Sequence, residues 1–109
     1  MSPFFPSGAE LGRHTIFPGV DIQTTACERM MLSVVEMKPG SVVESHSHPH
    51  EQVGMVLGGK ALFIVGDEQK TLVTGDLYRI PGGVVHRVIA SEEGLRALDI
   101  FTPVRDEYL

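Results

Sequence analysis

Apolar residues recur along the chain in short runs that turn-forming residues separate. The two longest runs cover 30–37 and 95–102, and shorter runs cover 15–17, 20–24, 42–43, 52–57, 61–65, 69–73, 77–80 and 85–90. Nearly every gap holds glycine or proline: Pro18-Gly19, Pro39-Gly40, Gly58-Gly59, Gly66-Asp67, Gly75-Asp76, Pro81-Gly82-Gly83 and Glu93-Gly94. No window of twelve residues keeps a helical stripe free of such breakers, although 27–32 could form a short turn. Many short strands with tight turns predict an all-β sandwich or barrel.

The length of 109 residues fits one domain with a single core. Residues 1–13 carry two prolines and two glycines without periodicity, so we expect an N-terminal arm there and a barrel domain over 14–109. Phe4 and Phe5 on this arm favour docking onto the domain or onto a partner subunit. Because a small open sandwich must also cover its edge strands, we expect a homodimer.

Charge and cysteine content narrow the possible partners. Fourteen acidic against nine basic residues give a net charge of -5, and no run of Lys or Arg interrupts this balance, which disfavours nucleic acid. The single cysteine, Cys27, cannot form an intrachain disulfide. The N-terminus lacks the basic start and apolar stretch of a signal peptide, and the apolar runs are far shorter than the ~20 residues that span a bilayer. We therefore expect a soluble cytoplasmic protein with no membrane partner.

Three of the five histidines lie within five residues, in the stretch 46–50. His46 and His48 are one residue apart, so on a strand both rings would point to the same side of the sheet. Imidazole suits Zn, Cu, Fe and Ni, and such a site needs further donors. If extended structure resumes after Pro49, the side chain of Gln52 would point to the same side of the sheet as that of His48, whereas Glu51 would point to the other side.

A fourth histidine, His86, follows the turn Pro81-Gly82-Gly83. A lone His-x-His pair is more often a solvated polar face, but the complete spacing changes that interpretation. Gly-x5-His-x-His-x3-Gln-x6-Gly, followed by Gly-x5-Pro-x-Gly-x2-His, resembles both signature motifs of the cupin superfamily. The resemblance runs from Gly40 to about Ala90 and implies a cupin double-stranded β-helix, or jelly-roll, barrel.

The predicted metal ligands are His46, His48, Gln52 and His86, and His50 is expected outside the ligand set. Gln52 stands where many cupins have Glu, and Ala90 stands where the second motif often has Asn. Three neutral imidazoles and an amide leave the charge of a divalent ion uncompensated, so the ion should favour an anionic ligand. We expect one divalent ion per chain, and Ni, Zn, Mn or Fe would each suit these donors.

The last predicted strand holds a second candidate group. Leu95, Ala97, Asp99 and Phe101 share one face of this strand, so Asp99 would be a carboxylate aimed into an apolar barrel. Burial would raise its pKa toward the range of a general acid or base. Arg105 could fold back over the mouth and clamp a carboxylate. The alternative is that Asp99 caps a turn or pairs with Arg96 at the surface.

The segments at 48–52, 57–60, 75–76 and above all 99–109 look like the small cupins of pectin and alginate breakdown known as KdgF. That resemblance implies a metal-dependent enzyme that converts 4,5-unsaturated monouronates, released by polysaccharide lyases, to linear ketonised sugar acids. It assigns metal binding to His46, His48, Gln52 and His86, and catalysis to Asp99, Phe101 and Arg105. The expected partner is a small anionic sugar acid.

Two other classes of function remain open at this point. The chain could be a different metal-dependent cupin enzyme, such as a dioxygenase or a sugar isomerase. It could also be a non-catalytic cupin that binds a small ligand.

Overall fold

A computed structural model describes residues 2–109, and nearly all of its elements are β-strands. The strands are β1 (Gly12–Phe17), β2 (Val20–Ala26), β3 (Met31–Met37), β4 (Val42–His46), β5 (Glu51–Val65), β6 (Glu68–Val73), β7 (Leu77–Ile80) and β8 (His86–Thr102). Short 3-10 helices cover Gly8–Glu10 and Asp106–Tyr108. Every strand pairing is antiparallel. The prediction of an all-β jelly-roll barrel is confirmed.

The two long strands, β5 and β8, each belong to both halves of the barrel. In one half the order is β1, β2, β3, the second part of β8, the first part of β5, and β7. In the other half β4 pairs with the first part of β8, which pairs with the second part of β5, and β6 follows. The β5 and β8 pair therefore connects the two halves through one continuous ladder.

Two predicted turns, Gly58-Gly59 and Glu93-Gly94, are wrong as turns and lie inside β5 and β8. Gly59 and Gly94 have φ values of 77° and 72°, a region that favours glycine. The ladder shifts register on either side of the glycine pair, between Val56 and Gly58 and again between Gly59 and Ala61. Such bulges let a strand bend without ending, so the sequence signal for a turn here marks the bend between the two halves.

The core lies between the two halves and is built from alternate positions of the strands. On β2, for example, Val20 and Ile22 are buried while Asp21 and Gln23 are exposed, as a side-chain period of two requires. The same alternation buries Val35 and Met37 on β3, Val56, Ala61 and Phe63 on β5, and Val88, Ala90, Leu95 and Ala97 on β8. This apolar packing fixes the strands from which the polar end of the barrel is built.

The N-terminal segment differs in one respect from the predicted arm. Strand β1 begins at Gly12, inside the range 1–13, and pairs with β2. Phe4 and Phe5 are each 80% exposed, so neither docks onto its own domain. Their docking onto a partner subunit stays a prediction. Among residues 2–109, no helix is long and apolar enough to cross a membrane.

Candidate functional site

Three histidines converge at one end of the barrel from three different backbone segments. His46 is the last residue of β4 and pairs in the ladder with His86, the first residue of β8. His48 lies beyond the end of β4, so the expectation that His46 and His48 share one strand is wrong. Instead, the amide of Gly83 donates a hydrogen bond of 2.8 Å to the carbonyl of His48, which ties this loop to the Pro81-Gly82-Gly83 turn.

The donor atoms of His46, His48 and His86 all lie within 4.8 Å of one another. Their ring centroids are 4.3 Å apart for His46 and His86, 4.9 Å for His48 and His86, and 5.6 Å for His46 and His48. Neutral imidazoles at this separation are the kind of donor that first-row transition metals bind. These three histidines could hold a metal ion.

Each of the three rings is oriented by a backbone carbonyl two residues away. The Nδ1 atoms lie 2.8 Å from the carbonyl of Glu44 for His46, 3.1 Å from that of His50 for His48, and 2.9 Å from that of Val84 for His86. A carbonyl can only accept, so each Nδ1 carries a proton, and in the neutral form of the ring the lone pair is then on Nε2. This is the arrangement of metal-binding histidines, whose second nitrogen commonly donates to a carbonyl or carboxylate.

Burial keeps two of these imidazoles neutral. Desolvation lowers the pKa of His86 to about 4, and the positive charge of neighbouring groups acts in the same direction. The pKa of His48 is also lowered, first by burial and then by the charge of Arg105. A neutral ring is the form that can offer its lone pair to a cation.

Gln52 adds a fourth donor from the opposite half of the barrel. It is buried at the start of β5 while Glu51 is exposed, as parity predicts. Its Oε1 lies 3.1 Å from Nε2 of His48, and its side chain is close enough to Asp99 to lower the pKa of that carboxyl group. The amide oxygen and the His48 Nε2 are then two acceptors that face each other without a proton between them. Such a pair is favourable when a cation lies within reach of both, so the donor set fits a metal ion.

Asp99 is buried on the second part of β8, 8% exposed, and lines the same cavity as Gln52. The alternative that it pairs with Arg96 is excluded, because Arg96 bonds to Glu36 at 2.8 Å on the surface. Desolvation raises the pKa of Asp99 to about 6. The hydrogen bond from Tyr78, the neighbouring Gln52 side chain and the charge of Arg105 act in the opposite direction. A carboxyl group with this pKa can both accept and donate a proton near neutral pH.

Arg105 is also buried, at 8% exposure, and lines the same cavity as His46 and His86. Its guanidinium carbon lies 4.1 Å from the ring centroid of Tyr108 and 5.1 Å from that of Phe101. Its Nε donates to Glu107 at 2.9 Å. Contacts between a guanidinium and aromatic rings favour a defined orientation. Arg105 was expected to fold back over the mouth of the barrel. In the structure its side chain lies among aromatic rings in the wall of the cavity.

The cavity between the two halves is lined by apolar core side chains and by a group of polar side chains that includes two of the histidines. Its polar lining comprises Ser33, His46, Gln52, Tyr78, His86, Asp99 and Arg105, and Phe101 and Tyr108 lie beside them. The volume is about 50 Å³, enough for a few water molecules. A sugar-sized ligand would need the side chains at the mouth to move apart.

Sequence reasoning missed two aromatic residues of this cavity, Tyr78 and Tyr108. The hydroxyl of Tyr78 donates to Oδ1 of Asp99 at 2.5 Å, and Tyr108 stacks on Arg105. One signal for Tyr78 was present in the sequence. Gly54 interrupts an otherwise apolar strand, and an interior strand glycine often marks a place where another group approaches closely. His50, which was expected outside the ligand set, accepts a hydrogen bond from His48 with its carbonyl, and its ring centroid lies 5.6 Å from that of His48.

The cupin domain family model matches residues 33–101, which include every strand from β4 to β7 and the proposed metal donors. Together with the jelly-roll fold and the histidine cluster, this match means that the chain belongs to the cupin family.

Three individual relatives are similar to this chain over most of its length. The chain is 30% identical over 86 residues to the pectin degradation protein KdgF of Dickeya dadantii, a match that covers 78% of each protein. It superposes on the structure of KdgF from a Halomonas species with a TM-score of 0.85 and 28% identity, covering 96% of this chain and 97% of that one. An RmlC-like cupin from Shewanella frigidimarina gives a TM-score of 0.87 at 26% identity, covering 99% and 97%.

Proposed function

We propose that this chain is a metal-dependent enzyme that opens 4,5-unsaturated monouronates, the products of pectin or alginate lyases, to linear ketonised sugar acids. The observation that carries the proposal is that a buried carboxyl group, Asp99, lies in the same cavity as the histidine cluster and a buried guanidinium. The similarity to the KdgF proteins supports the choice of substrate.

The charges of the cavity suit an anionic ligand. The proposed donors, His46, His48, Gln52 and His86, would all bind a metal as uncharged ligands, so one bound divalent ion would keep its full charge. Arg105 adds a further positive charge, and its planar fork matches a carboxylate. A uronate presents a carboxylate beside a ring oxygen, so its two ends could be held by the guanidinium and by the ion. Phe101 would pack against the sugar ring.

The reaction is an isomerisation that needs one proton to leave one atom and one proton to reach another. Asp99 in its ionised form removes the proton from the hydroxyl on C1, the bond between C1 and the ring oxygen breaks, and C1 becomes an aldehyde. The ring oxygen becomes an enolate at C5. A proton is then delivered to C4, the double bond moves to oxygen, and C5 becomes a ketone. A carboxyl group with a pKa of about 6 can return the proton that it has accepted.

When bound, the metal would act as a Lewis acid that stabilises the negative charge on the substrate oxygens. Arg105 orients the carboxylate, and the apolar inner wall keeps bulk water away from the enolate. The side chain of Gln52 links the two parts of the site, because its oxygen faces His48 while its presence beside Asp99 lowers the pKa of that carboxyl group.

The direct test uses monouronate freshly released by a lyase and protein loaded separately with Ni, Zn, Mn or Fe. Loss of the ultraviolet absorbance of the conjugated double bond should accelerate. In deuterated water, NMR should show deuterium entering C4 of the product. Asp99→Asn keeps the shape of the side chain and removes the base, so turnover should fall about a hundredfold or more with metal content unchanged.

A matched pair of arginine variants tests substrate binding. Arg105→Ala removes a charge-assisted contact worth about 1.5–3 kcal/mol, so KM should rise roughly 10- to 150-fold. Arg96→Ala removes an equal charge from the exposed pair with Glu36 and should leave KM unchanged. Equal effects of the two variants would count against a carboxylate clamp at Arg105. If no metal form turns over monouronate, the uronate proposal fails, and oxygen uptake with small organic acids would then test the dioxygenase alternative.

A further inference from the structure

Tyr78, Gly54 and Asp99 lie in one row across three neighbouring strands. Gly54 on β5 is the ladder partner of Tyr78 on β7 on one side and of Asp99 on β8 on the other. Neighbouring strands are ~4.8 Å apart, so the backbones of Tyr78 and Asp99 are separated by roughly 10 Å. The side chain of Tyr78 must therefore pass over the whole width of β5 to reach the carboxylate.

Gly54 makes this passage possible. A Cβ atom at position 54 would overlap the end of the Tyr78 ring, including its hydroxyl. Glycine weakens the interior of a strand, because it offers no side chain to pack and has greater freedom in the unfolded chain. Gly54 has no positive φ that would call for glycine. The Tyr78 ring, which crosses β5 at this position, is thus the feature of this structure that requires a residue without a side chain.

The contact at the end of this passage orients the carboxylate. The Tyr78 hydroxyl donates to Oδ1 of Asp99, and the ring is steadied by Phe63, whose centroid lies 4.6 Å away. Burial first, and then the neighbouring Asp99, raise the pKa of Tyr78 far above its usual range, so the hydroxyl keeps its proton and remains a donor. Tyr78 thus gives Asp99 a hydrogen-bond donor from a strand that is not its ladder neighbour.

We propose that Tyr78 is a positioning residue for the reaction, because it holds the Asp99 carboxylate in a fixed orientation at the substrate. Gly54 makes this contact possible, because it leaves room for the Tyr78 ring to reach Asp99. This inference rests on the proposed function, since it concerns the carboxyl group that transfers protons there. Tyr78 itself does not exchange a proton with the substrate. Its contribution is orientation, and a misplacement of about 1 Å in a catalytic group can cost roughly a hundredfold in rate.

Tyr78→Phe is the principal test, because it removes one oxygen atom and keeps the ring. We expect kcat on monouronate to fall about 10- to 100-fold with KM and metal content little changed. In the Asp99→Asn background the same substitution should cause little further loss, since a residue that acts through Asp99 has nothing left to position. Unchanged kcat in Tyr78→Phe, or losses that multiply in the double variant, would overturn the proposal.

Two further variants separate positioning from general destabilisation. Gly54→Ala keeps the hydroxyl but displaces the ring, so its kcat should fall by an amount similar to that in Tyr78→Phe; if it fails to fold, Tyr78→Phe decides alone. Leu72→Val trims a buried core side chain on β6, outside the cavity lining, and should lower the unfolding midpoint without lowering kcat. A kcat loss in Leu72→Val equal to that in Tyr78→Phe would make the effect one of stability and would overturn the proposal.

Crystal structures of wild-type and Tyr78→Phe protein give a readout that does not depend on the substrate. We expect the Asp99 carboxylate to rotate or to occupy two conformers in Tyr78→Phe. If wild-type protein turns over no monouronate, the proposed function fails while this comparison still decides the role of Tyr78. A carboxylate that keeps its orientation without the hydroxyl would overturn the inference even if the enzyme is active.

Discussion

Asp99 should make the metal-free protein less stable as the pH rises, and Asp99→Asn should remove this effect. The carboxyl group is buried, and its pKa is raised from its ordinary value of 3.8 to about 6. Asparagine resembles the protonated acid in shape and can still accept the hydrogen bond of Tyr78. We therefore expect the two proteins to differ little in unfolding free energy near pH 4 and to differ strongly above pH 7.

The sign and size of the effect follow from proton linkage. Between pH 3.8 and about 6 the folded protein keeps the Asp99 proton and the unfolded chain loses it, so stability falls as pH rises. At 1.36 kcal/mol for each pKa unit, the full loss is about 3 kcal/mol and is complete above the folded pKa. Asp99→Asn should therefore be more stable than wild type by about 3 kcal/mol at pH 7.5. That would be a stability cost of keeping an ionisable group in the cavity.

Urea unfolding of chelator-treated protein, followed by circular dichroism at several pH values from 4 to 7.5, measures this difference. The histidines titrate in both proteins, so the difference between the two curves isolates Asp99. Asp67→Asn makes the same chemical change in the exposed turn after β5 and serves as the control. If the wild-type and Asp99→Asn curves run parallel over the whole range, burial does not destabilise the carboxylate and the acid and base role loses its physical basis.

Three further predictions concern the metal, the clamp and the assembly. Elemental analysis should find close to one divalent ion per chain, and the double variant His46→Ala, His48→Ala should lose nearly all of it; retained metal would contradict the ligand assignment. Arg105→Ala should raise KM more than it lowers kcat, and a pure kcat effect would argue against a role in binding. Because Phe4 and Phe5 are each 80% exposed, we expect sedimentation to give a homodimer; a monomer at micromolar concentration would contradict this.

Parity along single strands predicted much of the candidate site. The burial of Gln52 with exposure of Glu51, and the shared face of Asp99 and Phe101, both follow from the side-chain period of two. The histidine spacing identified three residues that the fold brings together, although His48 reaches the cluster from a loop.

Features that depend on contacts between distant strands could not be read in the same way. The glycines at 58–59 and at 94 have the composition of turns, and only the ladder between β5 and β8, in which Gly58 faces Arg96 and Gly59 faces Leu95, makes them bends. Tyr78 was missed because its partner lies two strands away, and the register of β7, β5 and β8 is a property of the assembled sheet. The position of Arg105 likewise depends on aromatic rings that meet only after folding.

Because Tyr78, Gly54 and Asp99 lie in one row across three strands, the whole site depends on the correct register of β5 against β8. A slip of β5 by one residue against β8 would bring Val53 or Met55 opposite Asp99, and either side chain would block the tyrosine. The same slip would turn Gln52 outward, away from His48. A misregistered molecule would thus lose the metal donor and the oriented carboxylate together, so a folding error here should yield inactive protein rather than a population of partly impaired enzymes.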